Sequence, residues 1–285
     1  MSEAKPPAWR APLPPVPYAL FALFAVLPIG IVLANVGFAL LDAARIEEGR
    51  DIAQRFVGLL AMQAALVLVA WGFARRGFAT VEEGLSWQAP RLSWPTTLAL
   101  VGAVPLCMLA GSLLVFLLPF EPGENVRAVH EELAGLRGTA ALASVAVAVI
   151  APAVGEELFF RGLFLRLTRQ AGRPLWAILW CAVAFAAYHM DPLQSLAVLP
   201  LSLWLTWLVW RSGSLWPAML GHALHNGLVL LVLREVGGLP AEGEEFSAPP
   251  TVMPLAWASA LLCLPYGLRR LRGEAYVADD FSRAD

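Results

Sequence analysis

Three short patches of otherwise apolar sequence contain polar side chains that could do chemistry. These side chains are Glu156, Glu157, Arg161, His189, His222 and Asn226. A charged side chain at the centre of a bilayer costs about 2.5–3.5 kcal/mol even on the lenient insertion scales, so ionisable groups in apolar segments are usually there for function. Because three separate patches carry such groups, we expect them to meet in one site.

Helix geometry gives the two adjacent glutamates different tasks. Residues four apart share one face of a helix, whereas neighbours diverge by about 100°. Glu157 and Arg161 are four apart with the acid first, which predicts an intrahelical ion pair with a supporting role. Glu156 has no basic residue three or four positions later, so it is the candidate reactive carboxylate.

The same four-residue spacing relates Phe185 to His189 and His222 to Asn226. A glutamate and a histidine together can hold and deprotonate a water molecule. A second histidine and an asparagine can donate hydrogen bonds to an oxyanion. These residue types therefore suit amide hydrolysis without a serine or cysteine nucleophile, with Phe185 expected to pack rather than react. His225 also lies in the third patch, and its role is left open.

The elements that carry these patches are predicted to be transmembrane helices. The chain has 285 residues, of which 59% are hydrophobic, and its mean hydropathy of +0.66 reflects more apolar surface than a soluble domain of this size can bury. Runs of about 20 apolar residues can cross the hydrocarbon core. The predicted spans are about 17–41, 54–74, 95–118, 139–166, 174–190, 193–210, 215–233 and 251–268.

The expected fold is therefore an all-α, polytopic bundle of about eight transmembrane helices. We divide the chain into a proline-rich leader at 1–16, one membrane domain at 17–268 and a tail at 269–285. The formal net charge of −2 gives no reason to expect a nucleic-acid partner.

The distribution of lysine and arginine predicts that both termini face the cytoplasm. Under that topology His222 lies near the cytoplasmic end of its helix and His189 near the far end of a short one. The run at 174–190 must then be tilted, partial or offset for the two histidines to meet.

At these residues the chain resembles the CAAX-protease and bacteriocin-processing (CPBP, or Abi) family, which includes the Ras-converting CAAX prenyl endopeptidase. The family pattern is E-E-x-x-x-R, then F-x-x-x-H, then H-x-x-x-N or H-x-x-x-D on successive membrane helices. Glu156-Glu157-x-x-x-Arg161, Phe185-x-x-x-His189 and His222-x-x-x-Asn226 follow that order, and the resemblance covers about 139–233.

The resemblance implies an eight-helix endopeptidase with a conical cavity in the plasma (inner) membrane of a bacterium. Its substrate would be a membrane-associated or lipidated protein or peptide. Glu156 and His189 would activate water, while His222 and Asn226 would form the oxyanion site. No cofactor is favoured, yet zinc held by Glu156, His189 and His222 stays open, since one carboxylate and two imidazoles suit a catalytic zinc.

Three other functions remain open at this stage. The same protease chemistry could process a C-terminal sorting segment, as in the myxosortase branch of the family. The buried charges could instead serve an ion or proton transporter, although the spans outside the three motifs offer few polar residues for a path. The chain could also be a catalytically idle scaffold.

Overall fold

The computed structural model describes residues 14–47, 49–118, 123–170, 174–237 and 251–274. Throughout these ranges the regular elements are helical. They are α1 (Pro15–Ala43), α2 (Arg50–Gly77), α3 (Val81–Leu85), α4 (Trp94–Gly102), α5 (Pro105–Phe116), α6 (Glu124–Gly135), α7 (Gly138–Arg169), α8 (Pro174–Tyr188), α9 (Pro192–Ser212), α10 (Trp216–Val236) and α11 (Val252–Gly273). Residues 1–13 of the predicted leader and 275–285 of the predicted tail lie outside the described residues.

Seven helical segments in the described ranges are long and apolar enough to cross a membrane. They are α1, α2, the α4–α5 pair (Trp94–Phe116), α7, α9, α10 and α11. The predicted all-α, polytopic class is confirmed. An eighth full crossing is not, because α8 has 15 residues and therefore spans only about 22 Å at 1.5 Å per residue.

Two segments predicted as connections contain helices. The connection 75–95 holds α3, where the Thr80 hydroxyl accepts a hydrogen bond from the Glu83 amide at 3.2 Å. The connection 119–138 holds α6, which is charged on one side and buries Leu133 on the other. A search for long apolar runs misses such a helix, because amphipathic periodicity and not overall hydropathy is its signal.

Helix α7 carries the first motif and occupies the centre of the bundle, packed against α1, α2, α3, α8 and α10. Two stretches of it are π-helical, Ala146–Ile150 and Glu157–Phe164. Between them lies Pro152, which has no backbone N–H to donate within the helix. π-Helical turns within α-helices are frequent at functional sites, and the second one begins at Glu157.

The outer surface of the bundle is apolar. The exposed side chains include Phe24, Phe116, Leu117, Leu255 and Leu262, each at least 73% exposed. In water such a surface would be an aggregation liability, whereas in a bilayer the lipid tails cover it. The protein is thus an integral, multi-pass membrane protein.

Close helix packing in the bundle makes one glycine sensitive to substitution. A side-chain carbon at Gly111 on α5 would overlap the backbone of Ala197 on α9. We predict that Gly111→Ala lowers the thermal unfolding midpoint in detergent, since overpacking costs about 1–3 kcal/mol.

Gly58→Ala on α2 is the matched control, because nothing lies within 4 Å of the added carbon. That variant should unfold at or above the wild-type midpoint, because alanine is the better helix former. Equal midpoints for the two variants would contradict the close packing of α5 on α9.

Candidate active site

The buried Glu157 carboxylate joins two motifs. Its Oε1 atom accepts a hydrogen bond from Arg161 Nη1 at 2.8 Å and another from His222 Nδ1 at 2.8 Å. Glu157 and Arg161 are fully buried and His222 is 3% exposed. The ion pair expected from the four-residue spacing is present, and it extends to a histidine on α10.

The Arg161 guanidinium has partners on three helices. Its Nη2 donates to Ser202 Oγ on α9 at 2.7 Å, and its Nε lies 3.4 Å from Thr206 Oγ1. Its central carbon lies 4.0 Å from the centre of the Phe185 ring on α8. A cation over an aromatic face is stabilised by the ring quadrupole, so Phe185 packs, as expected, and also contacts the charge.

The hydrogen bond to Glu157 determines the tautomer and the orientation of the His222 ring. A carboxylate paired with arginine can only accept hydrogen bonds, so Nδ1 of His222 carries the proton. The other nitrogen, Nε2, is 3.9 Å from Glu156 Oε2. His222 thus turns its second ring nitrogen toward the candidate reactive carboxylate.

Glu156 is nearly buried, at 7% exposure, and receives its hydrogen bond from outside the three motifs. Gln63 Nε2 on α2 donates to Glu156 Oε1 at 2.9 Å. Glu156 thus receives a hydrogen bond from α2, while His222 Nε2 on α10 lies 3.9 Å from its other oxygen. Neither Gln63 nor the Arg161 partners Ser202 and Thr206 were singled out from the sequence, although an amide in an apolar span was a usable signal for Gln63.

His189 lies just beyond the end of α8. Its Nδ1 donates to the Phe185 carbonyl at 3.0 Å, and its ring centre is 5.0 Å from that of Phe185. The His222 ring lies 5.8 Å from the same phenyl group. Phe185, near the end of the short helix α8, therefore contacts both histidines.

The remaining polar residues of the third motif lie on α10. Asn226 Nδ2 donates to the carbonyl of Ala148 on α7 at 3.2 Å. His225 is buried, and among the described residues its Nδ1 has no hydrogen-bond partner. The structure therefore brings Glu156, Glu157 and His222 into contact, with Asn226 bonded to α7.

Residues 138–228 match the family model described as type II CAAX prenyl endopeptidase, Rce1-like. This segment is similar to Rce1-like domains. The predicted resemblance, at about 139–233, is confirmed, and all three motifs lie within the match. Searches of curated proteins and of solved structures gave no match. The family supports a CAAX-type intramembrane protease that acts on a peptide substrate.

The predicted zinc alternative can be compared with this geometry. In the parts of the chain that the structure describes, no three His, Cys, Asp or Glu side chains are grouped so that they could hold a metal ion. The set Glu156, His189 and His222 does not meet that condition, so we derive no step through zinc.

The contacts of Arg161 predict a structural cost for its removal. We predict that Arg161→Met lowers both folded yield and activity, since removing one partner of a buried ion pair costs about 3–5 kcal/mol. Folded yield is measured as the monodisperse fraction in detergent.

The double variant Glu157→Gln/Arg161→Met is the control, because it removes both charges. It should recover part of the folded yield but not the activity, since His222 still lacks its carboxylate. Wild-type yield for Arg161→Met, with activity lost, would contradict the supporting role and move Arg161 to the reacting groups.

Proposed function

We propose that the chain is an intramembrane endopeptidase that uses Glu156 to activate water against a peptide bond of a membrane-associated or lipidated protein or peptide. The observation that carries the proposal is the buried Glu156 carboxylate, faced by His222 Nε2 at 3.9 Å and within a segment similar to Rce1-like domains. A carboxylate in such a setting suits general-base catalysis.

Water activation is assigned to Glu156 and His189. Because the His189 Nδ1–H group is bonded to a carbonyl, its Nε2 in the neutral ring is an acceptor. Nε2 can therefore hold a water molecule by one hydrogen while Glu156 removes the other proton. The water oxygen bonds to the peptide carbonyl carbon to form a tetrahedral intermediate.

His222 and Asn226 are assigned to the oxyanion of that intermediate. His222 takes part as the imidazolium, with a second ring proton taken up from solvent before the reaction and kept throughout it, so that Nε2 donates to the oxyanion while the Glu157 carboxylate on Nδ1 stabilises the positive charge, as the aspartate does in a catalytic triad. The Asn226 amide uses one N–H on Ala148 and has a second to donate. Glu156 then returns its proton to the leaving amine as the C–N bond breaks.

Peptide cleavage by the purified protein tests this function. We predict that Glu156→Gln and His189→Ala each lower kcat about 10²–10⁴-fold, the usual contribution of a general acid–base group. The substrates are a panel of fluorogenic membrane peptides with transmembrane, lipidated C-terminal and sorting-type sequences. Glu131→Gln, at an exposed position on α6, should cleave as the wild type does.

The same assay includes an arm with a strong chelator, in which the proposal requires full activity. Loss of activity that added zinc restores would contradict a metal-free mechanism. Wild-type rates for both Glu156→Gln and His189→Ala would show that the proposed site is wrong.

A further inference from the structure

A glutamine outside the three motifs contacts the candidate base directly. Gln63 lies on α2, 9% exposed, and donates from Nε2 to Glu156 Oε1 at 2.9 Å. The helix that carries it precedes the segment 138–228 that matches the protease family. The contact therefore depends on how α2 packs against α7, which no motif on α7 encodes.

The backbone of α7 leaves room for this glutamine. A side-chain carbon at Gly155 would lie 2.5 Å from Gln63 Oε1 and 3.1 Å from the Gln63 carbonyl oxygen. Such distances are below van der Waals contact, so a larger residue at position 155 would push the Gln63 amide or the α2 backbone away from α7. The residue before Glu156 therefore allows the amide to reach the carboxylate.

The carbonyl oxygen of the Gln63 side chain lowers the stability of the fold. Gln63 Oε1 is buried and has no hydrogen-bond partner among the described residues. An unsatisfied buried acceptor costs about 1–3 kcal/mol, a cost that an apolar residue of similar shape would avoid. Packing alone therefore does not explain a glutamine at this position, whereas a requirement for its N–H group does.

The hydrogen bond from the Gln63 N–H group restricts the orientation of the Glu156 carboxylate. Glu156 Oε1 is bonded to Gln63, while Oε2 is the atom that faces His222 Nε2. A carboxylate held at one oxygen cannot rotate freely about its terminal torsion. The other oxygen is thereby kept on the side of the carboxylate where the histidine lies.

We propose that Gln63 is a positioning residue, which fixes the Glu156 carboxylate through Oε1 so that Oε2 faces the reacting groups. The catalytic part of this inference rests on the proposed endopeptidase function, whereas the hydrogen bond itself does not. Gln63 acts on the reaction only through Glu156 and is not assigned a contact with substrate.

The test compares Gln63→Met, which keeps the length but removes the donor, with Gln63→Asn, whose amide is one methylene too short. The matched control is Gln54→Met. Gln54 is half-buried on the same helix, and nine residues at 100° each place it on the opposite face from Gln63. Thermal midpoints, peptide-cleavage kinetics and the infrared carboxylate band of Glu156 are measured for each, the band being assigned by difference against Glu156→Gln.

We expect both Gln63 variants to lower kcat about 10- to 100-fold through misplacement of the base, with KM within about twofold of wild type because substrate binding is not altered. The Glu156 band should shift in both variants, while Gln54→Met leaves kcat and the band unchanged.

An unchanged kcat in the Gln63 variants would overturn the inference. So would a lower kcat that is accompanied by a lower thermal midpoint and an unshifted Glu156 band, because the loss of activity would then reflect a loss of stability. If the wild type cleaves no peptide, the proposed function fails separately, and the infrared band alone decides the inference. A shifted band then supports the role of Gln63 in holding Glu156, and an unshifted one overturns it.

Discussion

One carboxylate oxygen, Oε1 of Glu157, accepts hydrogen bonds from Arg161 and from His222 in a site that water barely reaches. Taking a carboxylate and a guanidinium out of water costs several kcal/mol per ion, and their attraction offsets that cost only with good geometry and further hydrogen bonds. Arg161 finds those further contacts on Ser202 of α9 and on the Phe185 ring of α8. The pair is therefore stable only when four helices are assembled around it.

This dependence connects the structure to the chemistry. Because Glu157 fixes Nδ1 of His222, the ring directs Nε2 toward Glu156, and Gln63 holds Glu156 from the other side. Phe185, packed under the arginine, also contacts the His189 ring. Small errors in helix packing would thus alter the relative positions of the candidate reactive groups, so we expect the supporting residues to affect activity as well as folding.

The sequence predicted those features that depend on one helix alone. Four-residue spacing gave the Glu157–Arg161 pair, and long apolar runs gave the membrane helices. It did not predict Gln63, Ser202 or Thr206 as partners, because periodicity reports which side of a helix a residue occupies and not which helix packs there. The sequence analysis also missed α6, because the charged residues on one face of this helix lower its mean hydropathy. Catalytic roles for Glu156, His189, His222 and Asn226 stay predictions, since a fold without substrate does not test them.

The tautomer of His222 tests the central claim, that the buried ion pair orients this histidine, the proposed oxyanion donor. The chain has only four histidines, so ¹⁵N-histidine labelling with comparison to His222→Gln assigns the ring nitrogens by solid-state NMR in a bilayer. We predict a protonated Nδ1 that loses its hydrogen-bond shift in Glu157→Leu. A bare Nδ1 in the wild-type protein, or a spectrum unchanged by Glu157→Leu, would contradict the account.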